Sequence, residues 1–188
     1  MNKNLRIFFL SALLMVKLSA TAEAQTIDYS VHANIIYHFT KYMEWPINKN
    51  QTNFVIGVIG ETALFDELQN ATLNKLVGSQ KIVIKNFSCN QTSYNCQILI
   101  ISENESRCFK NITTITSAKP VLIITEKEGL AIKGSCINFL IDDGRLKLEF
   151  NKNNIEQRNL KIASELLSMG IIVKNNKSEV SNVSKNEN

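Results

Sequence analysis

The sequence predicts an α/β domain: a three-layer sandwich with a mainly parallel central sheet, an antiparallel hairpin near the C-terminus and a closing helix. Two observations predict it. Short, almost wholly apolar runs at 53–60 (NFVIGVIG), 96–102 (CQILIIS) and 121–125 (VLIIT) alternate with stretches of helical periodicity. Strands without a polar face belong inside a parallel sheet covered on both sides. Asp142-Asp143-Gly144 then separates two more strand-like runs, CINFLI and RLKLEF, which is a strong hairpin signal.

Taken in order, residues 28–44 favour a helix. Asp28 or Ser30 can cap its start, and Val31, Ile35, Phe39 and Tyr42 recur at about 3.6-residue spacing. Pro46 biases Trp45 away from helical geometry, so the helix is expected to end near Glu44. The run at 53–60 is the first buried strand, and ETALFDELQN follows with helical spacing through Leu64, Phe65 and Leu68. Beyond the break at Gly78, KIVIKNF is the second strand and CQILIIS the third, with a polar helix expected around 103–112. Pro120 opens VLIIT, and KEGLAIKGS is a glycine-punctuated loop. In RLKLEF, Leu146, Leu148 and Phe150 alternate with Lys147 and Glu149, so this strand has one wet face. The stretch NNIEQRNLKIASELLSMG reads as the closing helix, its apolar stripe formed by Leu160, Ile162, Ala163, Leu166, Leu167 and Met169. There is no internal repeat or linker, so residues 25–172 are expected to form one domain. The asparagine-, lysine- and serine-rich residues 173–188 are expected to be a disordered tail.

Residues 1–24 read as a secretory signal peptide. Lys3 and Arg6 precede an apolar run from Ile7 to Val16, and Ala22-Glu23-Ala24 is a cleavage site of the A-x-A kind, with cleavage expected after Ala24. The apolar run is shorter than the roughly 20 residues a bilayer span needs. Lys3, Arg6 and Lys17 against Glu23 leave with this segment, taking the net charge from +4 to +2. Lysines are scattered rather than clustered, which leaves no electrostatic footprint for nucleic acid.

All four cysteines, Cys89, Cys96, Cys108 and Cys136, lie beyond the signal segment. An even count in an exported chain points to disulfides. Their spacings of 7, 12 and 28 lack the CxxC pairs of a zinc site, and His32 and His38 are six apart, off a common helical face. No metal and no cofactor are expected. Three pairings stay open, with Cys89–Cys96 and Cys108–Cys136 the one favoured.

The sequence carries no recognisable catalytic constellation. No GxSxG is present, and GVIGETALF lacks the spacing and third glycine of a dinucleotide fingerprint, so it reads as a strand ending in a turn. Asp142 and Asp143 beside Gly144 are turn formers before they are a carboxylate pair. His38 has no partner that would make it a base. An enzyme is not expected. The aromatic cluster HFTKYMEWP at 38–46 has two readings. In the structural one it ends the first helix, with Phe39 and Tyr42 toward the sheet and Trp45 wedged where the chain turns at Pro46. In the functional one, Tyr42 or Trp45 lines a partner or ligand surface.

Several of these stretches together resemble the YfiR-like periplasmic family, the HmsC-like regulators of a membrane diguanylate cyclase. IIYHFTKYMEWP is similar to the family's opening signature, an apolar helix running through a polar residue, Phe and Lys to Glu-Trp-Pro; His38 stands at the polar place. FVIGVIGETALFDEL resembles its first strand, turn and helix, and CQILIIS its cysteine-led strand. VLIITEKEGLAIKGSCINFLIDDGRLKLEFN resembles its strand, loop and hairpin, and NLKIASELLSMG its closing helix. The resemblance covers about 31–170.

The resemblance implies a periplasmic, non-catalytic regulator. It implies a partner, the periplasmic part of an inner-membrane signalling protein (a diguanylate cyclase or sensor kinase) that it binds and represses. It further implies relief by an outer-membrane lipoprotein of OmpA type, a homodimer, and an output in cyclic-di-GMP and biofilm. Two departures bear on the disulfides. Family members can carry a cysteine in the first strand, where Gly57 stands here, while the partner position is kept as Cys96, which implies rewiring to Cys89. One of the paired glycines before Ile-Asn-Phe is replaced, giving Gly134-Ser135-Cys136. The alternative function is a periplasmic small-molecule-binding module with its groove at the strand ends.

Overall fold

The structure, a computed structural model, describes residues 27–47, 51–60 and 62–175. The expected signal segment at 1–24 lies outside these residues. Helix α1, Tyr29–Tyr42, begins where the Asp28 carboxylate accepts from the Ser30 N–H at 3.0 Å, as an N-cap should. Strand β1, Met43–Glu44, follows directly, then β2, Asn53–Ile59, α2, Thr62–Thr72, and β3, Leu76–Val77. Next come β4, Gln80–Asn86, and β5, Ile98–Ile101, a 3-10 segment at Glu103–Cys108, and α3, Phe109–Ile115. The hairpin region holds β6, Leu122–Thr125, β7, Ile137–Asp142, and β8, Arg145–Phe150. The chain then forms α4, Lys152–Gln157, β9, Lys161–Ile162, α5, Ser164–Leu167, and β10, Ile171–Ile172.

Eight strands form one sheet in the order β10-β8-β7-β6-β5-β2-β4-β3. The pairings from β4 through β2, β5 and β6 to β7 are parallel, and β8 returns antiparallel to β7. Asp142 pairs with Arg145 across the turn, where Asp143 and Gly144 have φ of 50° and 70°; two positive φ values are what a type I′ hairpin requires. The chain leaves β2 for β4 on one side and β5 for β6 on the other. Right-handed crossovers therefore put α2 and α3 on opposite faces, giving the three layers. Ile56, Ile98, Leu99, Ile100, Leu122, Ile123 and Ile124 are wholly buried, as strands covered on both faces must be. Asn138 is buried with Thr125, whose hydroxyl donates to its Oδ1 at 2.7 Å, and its Nδ2 donates to Glu149 Oε2 at 3.1 Å. No helix among the described residues is long and apolar enough to cross a membrane.

Four expectations need correction. Helix α1 buries His32, Ala33, Ile36, Phe39 and Thr40, whereas Val31 and Tyr42 are 44% and 43% exposed. The inner stripe is thus offset by about one residue, and Phe39 alone of the Phe39–Tyr42 pair faces the sheet. The helix also ends at Tyr42, two residues early, because Met43 and Glu44 turn extended to pair with Ile162 and Lys161.

The closing helix is broken into α4 and α5. Asn159 takes φ 56° and ends the first, a left-handed conformation that asparagine tolerates. Lys161–Ile162 then become strand, and Met169 is left 60% exposed. Arg158, buried at the end of α4, donates from Nη1 to the Thr116 carbonyl at 2.8 Å and fastens α4 beside α3. Past α5 the chain stays attached: Val173 N–H donates to Phe150 O at 2.9 Å and Asn175 Nδ2 to Asn154 Oδ1 at 2.8 Å. The rest of the expected tail lies outside the described residues.

The favoured disulfide pairing is not the one formed. Cys89 is bonded to Cys108, with a Cα–Cα separation of 5.5 Å, and Cys96 and Cys136 are free and buried. Parallel topology gives the reason. Cys89 and Cys108 follow β4 and the end of β5, at the edge where the parallel strands finish, whereas Cys96 and Cys136 precede β5 and β7, at the edge where they start. Cys89 and Cys96 are therefore separated by the length of a strand, about 13 Å at 3.3 Å per residue. Cys96 and Cys136 share an edge, but β6 lies between them, which places them about 10 Å apart; a disulfide needs 4.4–6.8 Å or so. Position 57 cannot reach Cys96 either, since Gly57 is paired with Leu99, three residues further along β5.

Candidate functional site

The strand order reverses direction between β2 and β5, and at such a switch the loops leaving adjacent strand ends diverge and open a crevice. Gly60 closes β2 at φ 105°, and a Cβ there would lie 2.1 Å from Ser102 Oγ. Only glycine allows the two loops to sit this close. Ser102, the residue after β5, is 3% exposed, and its Oγ has no hydrogen-bond partner among the described residues.

From Ser102 a cavity of about 620 Å³ extends over the finishing ends of β5, β6 and β7. Its lining brings together aromatic rings, Tyr29 and His32 from α1 and Phe139 from β7, and the acidic residues Glu103, Glu126 and Glu128. Ring centroids are 5.1 Å apart for Tyr29–His32 and 5.2 Å for His32–Phe139. The Asp28 carbonyl, which can only accept, lies 3.2 Å from His32 Nδ1, so the proton resides there and Nε2 is the acceptor. Burial pushes the His32 pKa down, opposed by that bond and by the Asp28 charge, which keeps the ring neutral at neutral pH.

The disulfide flanks the same edge. Glu105 Oε2 lies 3.1 Å from Cys89 Sγ and 3.6 Å from Cys108 Sγ, and Arg107 pairs with Glu105 at 3.2 Å. These three residues, Cys89, Glu105 and Cys108, have the spacing of a metal-ligand set. With the sulfurs bonded to each other, however, they carry no thiolate to offer a metal.

At the opposite edge, where the strands start, a groove of about 460 Å³ is lined by Met43, Trp45, Ile47, Phe54 and Gln97 among others. Trp45 is half-buried there. Its indole N–H donates to Gln97 O at 3.1 Å, and its ring meets Phe54 edge-on at 4.9 Å and 88°. Gln97 is itself fixed, accepting from Val55 N–H at 2.6 Å. Tyr42 does not line this groove. It points outward and stacks on His38, with centroids 6.4 Å apart and planes 21° apart.

The structure thus separates Tyr42 from Trp45 and draws the four cysteines into one bonded pair and two isolated thiols. The residues around the larger cavity were not singled out from sequence. The signal that marks them is position: Ser102 and Glu126 each directly follow a fully buried parallel strand, where ligand-contacting loops begin. A family model described as YfiR/HmsC-like matches residues 29–170. No curated protein matches the chain.

Proposed function

The chain belongs to the YfiR/HmsC-like family, and from that premise we propose that it is an exported, non-catalytic regulator that binds and represses a membrane-anchored signalling protein. The family is one of periplasmic regulators of diguanylate cyclases, which supports a regulatory role and a partner of that kind. The observation that carries the reading is the extent of the match, which runs from the first turn of α1 to the glycine before β10 and so takes in nearly all of the described domain.

In this reading the signal peptide is removed after Ala24 and the domain acts in the periplasm on the periplasmic part of a diguanylate cyclase or sensor kinase. The effect is read out as cyclic-di-GMP and biofilm. An OmpA-type outer-membrane lipoprotein is the second partner, relieving repression by sequestering the regulator, and a homodimer is the working form. We assign partner contact to the exposed His38–Tyr42 stack at the end of α1, with Trp45 as the residue that holds this end in place.

Pull-down from a membrane extract, together with cyclic-di-GMP measurement in a deletion strain, tests the reading. Capture of a cyclase and a rise in cyclic-di-GMP on deletion are expected. Failure of both would overturn it. A second reading, a small-molecule-binding module, is favoured by the cavity at the strand ends, with its unpartnered Ser102 hydroxyl.

A further inference from the structure

We propose that the cavity over the finishing ends of β5, β6 and β7 is a binding site for a small organic cation, an ammonium group carried on an apolar or aromatic body. Three features of the cavity point to that chemistry. Its volume of about 620 Å³ falls within the range of sites for small ligands. Its lining is of two kinds, the neighbouring Tyr29, His32 and Phe139 rings and the carboxylates of Glu103, Glu126 and Glu128. Among the described residues, no lysine or arginine lines it. A ligand that places its body against the rings and its charge toward the carboxylates satisfies both, and aromatic faces add their own attraction for a cation.

The floor supplies the independent indication. Ser102 is more than nine-tenths buried, lines the cavity, and has a hydroxyl with no hydrogen-bond partner among the described residues. Buried hydroxyls are normally paired, and this one can accept from an ammonium N–H. His32 Nε2 is a second acceptor on the aromatic wall, because Nδ1 is committed to the Asp28 carbonyl. Three carboxylates beside these acceptors select a cation over an anion or a phosphate. Helix α1 contributes two of the rings and also carries the His38–Tyr42 stack at its other end, so a ligand seated here loads the helix assigned to partner contact.

This inference rests on the module reading and is independent of the docking one. The test uses the purified protein with phenethylammonium and, as the size-matched anion, 3-phenylpropionate. Phenethylammonium is expected to raise the melting temperature saturably and to shift the ring resonances of His32 while leaving those of His38 in place; 3-phenylpropionate is expected to do neither. The double variant Glu103→Gln/Glu128→Gln, at two exposed positions, should melt with the parent and bind about five- to tenfold more weakly. Should that variant melt lower, Glu126→Gln alone supplies the same contrast. A response to 3-phenylpropionate alone keeps a small-molecule module but overturns the cationic assignment. No saturable response to either probe, or undiminished binding by the variants, overturns the site itself.

Discussion

Cys89 and Cys108 are 19 residues apart in the chain, yet their Cα atoms lie 5.5 Å apart, across the end of strand β2. β4 and β5 are both parallel to β2 and flank it, so the residues that follow them emerge at one edge. The bond therefore staples the long return connection between β4 and β5 beside the switch point.

Closing a loop of this length is expected to contribute roughly 3 kcal/mol. The Cys89→Ala/Cys108→Ala variant should lose about that much in denaturant unfolding, and reductant should lower the parent protein to the same level. Peptide mapping without reduction should yield one crosslinked pair, Cys89 with Cys108, and two alkylatable thiols after unfolding. A crosslink from Cys89 to Cys96 would contradict the strand directions described above.

Trp45 and Tyr42 should separate in mutagenesis. Trp45→Ala removes the edge-on contact with Phe54 and the donor to Gln97 O. Full truncation of a buried aromatic costs about 3–5 kcal/mol, and half-burial brings the expected loss to about 2–3 kcal/mol. Tyr42→Ala removes only an exposed stack and should leave the melting temperature within a degree or two, while weakening capture of the membrane partner. A Trp45→Ala protein that melts normally would show that the side chain does not hold this end of the fold.

Gly57 should tolerate no side chain. An added Cβ would lie 2.5 Å from the Phe87 ring and 2.9 Å from a Leu99 methyl, and overpacking of this kind typically costs about 1–3 kcal/mol. Gly57→Ala is expected to show that loss by urea unfolding. The double variant Gly57→Ala/Phe87→Ala should recover part of it, since the colliding ring is gone. Additive losses would mean that Phe87 is not what excludes the methyl.

The sheet was legible because its signal is local. VIGVI, ILII and LIIT have no polar face, which settles burial on both sides without any tertiary information, and Asp143-Gly144 specifies its own turn. The register of α1 was not legible. Val31, Ile35, Phe39 and Tyr42 fit a 3.6 period as well as Ile36, Phe39 and Met43 do, and what decides between them is that the buried face carries His32 and Thr40, polar residues that a hydrophobic count assigns outward. The closing helix failed for a different reason. A tertiary pairing of Ile162 with Met43 and of Lys161 with Glu44, 119 and 117 residues apart in the chain, took residues that local periodicity assigns to the helix. The disulfide was legible in principle once the strands were read as parallel, because strand ends pair with strand ends. Loop composition carries no such rule for the acidic cavity, whose walls come from four separate segments: the start of α1, the stretches after β5 and β6, and strand β7.

The free thiol of Cys96 makes a prediction about alkaline pH. It is buried before β5, and burial pushes its pKa from 9.0 to about 12 in the folded protein, with Lys119 and Lys85 opposing weakly. Unfolded, it ionises near its ordinary value, so the stability it contributes is complete below about pH 9. That contribution is lost as the pH rises from there toward 12, because only the unfolded chain releases the proton in that window. The limiting slope is about 1.4 kcal/mol per pH unit. Other groups also titrate there, including Cys136, whose pKa burial raises in the same direction, so the measurement must be a difference. Urea unfolding of the parent and of Cys96→Val at pH 8.5 and 10.5 isolates it: the parent should lose about 2 kcal/mol more than the variant. The same burial keeps the folded thiol inert to alkylating reagents at pH 8. Parallel losses in the two proteins, or rapid alkylation of Cys96 without unfolding, would show that the thiol is reached by water and that the start of β5 is not closed.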